Sequence, residues 1–275
     1  MMRVFFRRVG LLGAICLQLW IPQAVAAPPG PWYVVLGPVV LDIQEESDEL
    51  VFEAPVTAPV VGTVLPGGDL PGSGVSLSDE KVLALTIGYQ FTPWFSLETF
   101  IGGPVPTFEI ESTGTLRNAP LAEISLPLFR DIKVGPIPGK IGEAKAIPFV
   151  VQTLLRPVTF ERWRPFVSIG LMYLVTFDEQ ATVDSLGIAA DDPTYGTQLE
   201  VSDEWGLLAG VGVDYQLTPH WFVHGHVSYG HMEVEARLTN LYARIRPIGI
   251  MPASDASVDV PTGLVAWNLG IGYRF

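Results

Sequence analysis

His224 and His226 stand two residues apart, a spacing that in a β-strand throws both imidazoles to the same side. Two rings so placed can offer two ligands to a metal ion, and Asp214 on what reads as the preceding strand can offer a third. The plainer reading is a pair of interior polar residues bonded to neighbours or water. It is preferred, because no cysteine, histidine or carboxylate cluster of a recognised metal-binding spacing accompanies them. No metal and no cofactor is expected. Ser228, His226 and Glu98 supply the hydroxyl, imidazole and carboxylate of a hydrolytic trio. No nucleophile-elbow glycine pattern surrounds Ser228, so a polar lining is again preferred and the chain is not read as an enzyme.

Those side chains need elements to carry them. Alternating segments recur at approximately 31–43, 79–91, 94–103, 146–158, 164–178, 203–217, 220–236 and 263–275, the period of half-buried strands. Short turns such as "FTPWF" (91–95), "FERWRP" (160–165) and "LTPHWF" (217–222) alternate with long connections at 44–78, 104–145, 179–202 and 237–262. This short-long rhythm is that of an up-and-down meander.

Each strand has a bulky stripe and a small one. Trp205, Leu207, Ala209, Val211, Val213 and Tyr215 oppose Gly206, Leu208, Gly210, Gly212 and Asp214; Trp267, Leu269, Ile271, Tyr273 and Phe275 oppose Asn268, Gly270, Gly272 and Arg274. A soluble barrel needs charged outward positions, and lysine is absent from these central faces. The bulky stripe therefore reads as lipid-facing and the small one as the lining of a narrow lumen. On that parity the lumen candidates are Glu98, Gln152, Arg156, Met172, Leu174, Leu208, Asp214, His224, His226, Asn268 and Arg274. The polar members form a plug near the short turns, with opposite charges paired, and Met172, Leu174 and Leu208 line a greasier pocket. Tyr89, Phe91, Trp94, Trp163, Tyr215, Trp221, Tyr273 and Phe275 gather near the short turns and terminus, where rings with polar tips suit the headgroup level.

The whole chain agrees. Residues 1–27 read as a signal peptide: Arg3, Arg7 and Arg8, an apolar middle, then "AVAA". The single cysteine, Cys16, falls inside it, so residues 28–275 would form a cysteine-free barrel domain. Loss of the three arginines takes the net charge from −13 to −16, which argues against a nucleic-acid partner. Hydrophobic residues reach 48% and charged ones only 16%, yet after the signal no apolar run is long enough for a membrane helix. Acidic residues follow the first strand (Asp42, Glu45, Glu46, Asp48, Glu49 and Glu53) and recur at Asp191, Asp192 and Glu200. They read as solvated loop faces, or as sites of cation bridging to lipopolysaccharide, with Arg130, Lys133 and Lys140 touching its phosphates.

The stretches "PWYVVLG" (31–37), "RPFVSIGLMY" (164–173), "DEWGLLAGVGVDYQLTPHWFVHGHVSY" (203–229) and the terminal "LGIGYRF" resemble the outer membrane protein W (OmpW) family of Gram-negative bacteria. The resemblance implies an all-β fold: an eight-stranded antiparallel up-and-down transmembrane β-barrel with short periplasmic turns and long extracellular loops, in the cell outer membrane. It also implies passage of small hydrophobic molecules through a narrow apolar interior, with sideways release into the membrane. The final Phe275 with alternate apolar residues upstream resembles the signal read by the outer-membrane assembly machinery. Outer-membrane lipid and lipopolysaccharide are the expected surroundings. The competing readings are a non-transporting structural or surface-interaction barrel and, behind it, a lipid-modifying enzyme. If the bulky stripes face acyl chains, the signal-free chain folds only in the presence of detergent or lipid. A folded, dispersed species in plain buffer, seen by circular dichroism and sedimentation, would contradict that orientation.

Overall fold

Val, Ile, Thr and aromatic residues fill the alternating segments, and their branched or flat side chains suit a pleated surface. The computed structural model describes residues 30–44, 47–59, 62–101, 103–119, 121–126, 129–134, 139–181, 196–245 and 249–275. The expected signal peptide with Cys16, and Glu45, Glu46, Asp191 and Asp192, lie outside them. The wall has eight strands: β1 (Trp32–Ile43), β2 (Glu80–Thr92), β3 (Phe95–Ile101), β4 (Lys140–Leu155), β5 (Trp163–Ala181), β6 (Glu204–Gln216), β7 (Trp221–Thr239) and β8 (Ala256–Arg274). Each pairs antiparallel with its successor, and β8 returns to β1 from Tyr33↔Arg274 to Ile43↔Leu264. Closure gives every strand of the ring two paired neighbours, as hydrocarbon requires.

The outer surface is banded. Trp163 pairs with Tyr215 near the short turns, and ten residues further along β5 Tyr173 pairs with Trp205. Both ring pairs touch, with centroids 4.6 Å apart. At about 3.3 Å per residue and a tilt of about 40°, the two collars lie about 25 Å apart, the height of a lipid-facing band. Between them Val167, Ile169, Leu171, Leu207 and Val211 are exposed. Above, the outward stripe turns polar: Asp42, Lys81, Lys145, Asp203, His231, Glu233, Glu235 and Asp259. The sequence reading placed aromatics only at the short-turn end, so the upper collar of Tyr173 and Trp205 is an addition.

The strands also overrun that reading. β4 begins at Lys140, and β7 and β8 pair from Trp221↔Tyr273 up to Leu238↔Ala256, a ladder of about 60 Å. Parity is unchanged along it, but above the band the outer face is charged while Met232, Val234, Ala236 and Leu238 point inward and are buried. A soluble-type barrel thus sits on the membrane barrel. Short strands from the long connections thicken it: Leu50–Phe52 pairs with β8, Gln198–Val201 with β7, and Thr107–Thr113 with both β4 and Ser73–Leu77. Their apolar sides, with Leu50, Phe52, Ile110 and Leu199 among them, join Leu65 and, from the short helix Gly114–Asn118, Leu116, and meet Leu238 and Val258 in a continuous core. The described parts of the long connections form a folded cap.

The band makes a positional forecast. Ile169→Arg, at mid-band, lowers stability by about 2–4 kcal/mol, whereas Glu235→Arg, on the same outward parity above the collar, changes it by less than about 0.5 kcal/mol. Reversible guanidine unfolding in phospholipid vesicles measures both.

Candidate functional site

Near the short turns three aromatic rings point inward, each across the ladder from a glycine. Tyr33 stands opposite Gly88, Phe166 opposite Gly212 and Phe222 opposite Gly272. A methyl group on any of these glycines would overlap the ring it faces. The small residues of the inner stripe are therefore the space in which the rings lie. Tyr33 and Phe222 meet edge to face at 5.9 Å, and the Arg274 guanidinium lies 5.8 Å from each ring centre.

A polar network crosses the bore beside these rings. The Tyr33 hydroxyl donates to Glu98 Oε1 (2.8 Å) and lies 3.1 Å from Ser96 Oγ. Gln152 Nε2 donates to Glu98 Oε2 at 3.0 Å. Arg156, just past β4, donates to Ser96 Oγ (2.6 Å) and Asp214 Oδ2 (3.0 Å), and His224 Nδ1 lies 2.8 Å from Asp214 Oδ1. Phe166 stacks on His224 at 5.3 Å and lies 5.6 Å from the Arg156 guanidinium carbon. Glu98, Arg156, Asp214 and His224 are all buried. Charge in such a place is expensive unless paired and hydrogen-bonded, and both oxygens of Asp214 are so engaged.

Directly above this plug is a cavity of about 300 Å³. Val39, Leu41, Met172, Leu208, Met232 and Leu264 form its walls. Its floor is polar, with Glu98, Gln152, His224, His226 and Asn268, and Leu77, Ile110, Ala236 and Val260 bring the cap's apolar core over it as a roof. Its side reaches a break in the wall. The β3–β4 ladder stops at Val150↔Phe100, and Thr107–Thr113 takes up pairing with β4 only from Lys145↔Thr107. Between them Gly103, Pro104, Val105 and Pro106 border the cavity opposite Ile147 and Pro148. Prolines lack an N–H, so Pro104, Pro106 and Pro148 leave fewer donors stranded where the ladder is missing.

All the lumen candidates lie on the inner face. Glu98, Gln152, Met172, Leu174, Leu208, His224, His226 and Asn268 line the cavity, while Arg156 and Asp214 lie in the plug and Arg274 below it. The two histidines take different partners: His226 Nε2 lies 2.9 Å from Ser168 Oγ, and among the described residues no group of three His, Cys, Asp or Glu could hold a metal. Ser228, His226 and Glu98 are not assembled as a trio, since Glu98 serves Tyr33 and Gln152. Tyr89, Phe91, Trp94, Trp163, Tyr215, Trp221, Tyr273 and Phe275 stand at the turn end, several in ring contact. Lys140 is bonded to Glu109 and Glu143 (2.9 and 2.6 Å), and these bonds raise its ammonium pKa. Arg130 and Lys133 lie outside the described side chains. Tyr33, Ser96 and Phe166 escaped the sequence reading, which set Ser168 and Phe222 on the small stripe without counting them as lumen candidates; the signal for the three rings was a large residue on that stripe, matched by a glycine one strand away.

A family model described as the OmpW family matches residues 64–275. Outer membrane protein W of Vibrio cholerae is 30% identical over 166 residues, 60% of this chain and 64% of that protein. Outer membrane protein AlkL of Ectopseudomonas oleovorans is 22% identical over 163 residues, covering 59% of this chain and 57% of its own. Both alignments thus span less than two thirds of the relative's length. The crystal structure of the outer membrane protein OprG from Pseudomonas aeruginosa shares the fold, with a TM-score of 0.64 at 19% identity over 91% of this chain and 98% of that one. The family match runs from within the cap to the terminal Phe275, so the chain belongs to the OmpW family and resides in the outer membrane of a Gram-negative bacterium.

Proposed function

We propose that the barrel is a narrow passage for small hydrophobic molecules, which occupy the cavity above the plug and leave sideways through the break beside β3. The observation that carries this reading is the continuity of the apolar cavity with Gly103–Pro106 at the upper edge of the lipid band. A side route is the economical one. An apolar molecule gains nothing from crossing Glu98, Arg156, Asp214 and His224, whereas Leu83, Val105 and Phe149 offer it exposed apolar surface at the break. Passage in this direction never requires the plug to open.

The alternative is a structural or surface-interaction barrel, and the folded cap is the feature in its favour. A cavity of about 300 Å³ beneath that cap weighs against it, because interiors built only for stability are close-packed. The lipid-modifying enzyme has less support, as no hydroxyl–imidazole–carboxylate contact is assembled in the lumen among the described residues.

Vesicles carrying the barrel take up an apolar fluorescent tracer faster than protein-free vesicles. Ala266→Phe projects a ring into the cavity and cuts that uptake by about tenfold, the factor that about 1.4 kcal/mol of lost binding produces. Correct folding of the variant is checked by heat-modifiable electrophoresis. Uptake no faster than in protein-free vesicles would refute the passage. In planar bilayers the plugged barrel shows no large stable ionic conductance, and the Tyr33→Ala/Phe222→Ala variant gains it.

A further inference from the structure

Beneath the plug, at the periplasmic mouth, lies a vestibule of about 650 Å³ that no part of the hydrophobic passage uses. It is bordered by the β2–β3 turn (Thr92, Pro93), by Thr159, Phe160 and Glu161 between β4 and β5, and by Arg164 of β5 and Arg274 of β8. Three features of its lining have no internal explanation. Arg274 is 6% exposed, yet among the described residues its guanidinium has no carboxylate partner and its buried Nε no acceptor. Arg164, on the inward parity of β5, likewise has no ion pair among the described residues; its cross-ladder neighbour is Asp214, whose two oxygens are taken by Arg156 and His224. Thr92 Oγ1 is also buried without a partner.

Two guanidinium groups with uncommitted donors, beside a hydroxyl without a partner in one recess, make a site of positive potential suited to an anion. The rings of Tyr33 and Phe222 under Arg274 offset part of the cost of holding that cation out of water, but a π face satisfies no N–H. Glu161 is the one carboxylate in the lining and makes no ion pair with either arginine among the described residues. Planar guanidinium donors match the oxygens of a carboxylate or phosphate two at a time. We infer that the periplasmic vestibule is a binding site for an oxoanion, held between Arg164 and Arg274 with Thr92 as a third donor. This inference does not depend on the hydrophobic passage, since the plug separates the two sites.

The oxoanion could be a free ion or the head of an amphiphile, and the probes separate these sources. The labelled barrel in nanodiscs is titrated with inorganic phosphate, with octanoate and with neutral octanol, reading the Nε–Hε resonances of Arg164 and Arg274. Phosphate and octanoate give saturable shifts that weaken as salt screens the charges; octanol gives none at these resonances. Tighter binding of octanoate assigns the site to an amphiphile head, and tighter binding of phosphate to a free ion. Arg164→Gln weakens either anion by about tenfold or more, the loss of one charge-assisted contact. It leaves the final strand and its assembly untouched, so the test survives if Arg274→Gln fails to fold. No saturable shift at millimolar anion, or equal affinity in Arg164→Gln, overturns the site.

Discussion

A β-strand cannot change which of its residues face inward without breaking its ladder, and the rest of this molecule follows from that. In β7 a single parity runs unbroken for 19 residues, from Trp221 to Thr239. Over the first half the outward residues are Trp221, Val223, Val227 and Tyr229; over the second they are His231, Glu233, Glu235 and Arg237. The inward residues run the other way, from Phe222, His224, His226 and Ser228 to Met232, Val234, Ala236 and Leu238. One ladder thus exchanges solvents. Below Tyr229 hydrocarbon lies outside and polar groups inside; above it water lies outside and an apolar core inside. The crossover level is also where the cavity sits, because there the inner face is already apolar and the cap has not yet filled it.

Narrowness is the second consequence. Eight tilted strands enclose a bore that side chains can fill, so every large inward residue needs a small one beside it. The pairings Tyr33↔Gly88, Phe166↔Gly212 and Phe222↔Gly272 meet that requirement across neighbouring strands. The polar plug obeys the same economy in charge: Asp214 joins Arg156 to His224, and the neutral donors Tyr33 and Gln152 satisfy Glu98. The plug and its glycines therefore form one device, and neither is explicable alone.

Much of this was legible in the chain, to the degree that the information was local. The band strands could be read because hydrocarbon demands a uniform outward stripe, and β5 and β6 supply one. The contact of His224 with Asp214 was accessible in outline because the two residues face each other across one hairpin. Arg156 with Asp214 and Tyr33 with Glu98 were not, since each pair reaches over an intervening strand, as Tyr33 does across Gly88 to Glu98. The cap was hidden for a different reason. Its segments are short, rich in Pro and Gly, and paired with strands far away in sequence, as when Val51 meets Ser257. Above the band the outward stripe is charged, so the upper part of β8, residues 256–262, looked like loop, although β7 was read as far as residue 236. Pro261, across from Glu233 within the β7–β8 ladder, deepened that impression.

The break beside β3 is the place where the closure rule is relaxed, and its chemistry explains why it can be. Unpaired backbone in lipid costs several kcal/mol for each stranded group. The segment that leaves the ladder carries Pro104 and Pro106, and β4 presents Pro148 across from it; Ala146 N–H still reaches the Pro106 carbonyl at 3.3 Å. What remains is a stretch of wall with few donors left to strand, placed at the upper collar where water is near. A break lower down, level with Ile169 and Val211, would have no such relief. For the passage we propose, the height of the opening is therefore set by backbone hydrogen bonding before any ligand is considered, and the cavity lies beside the opening because that is also the level at which the inner stripe turns apolar.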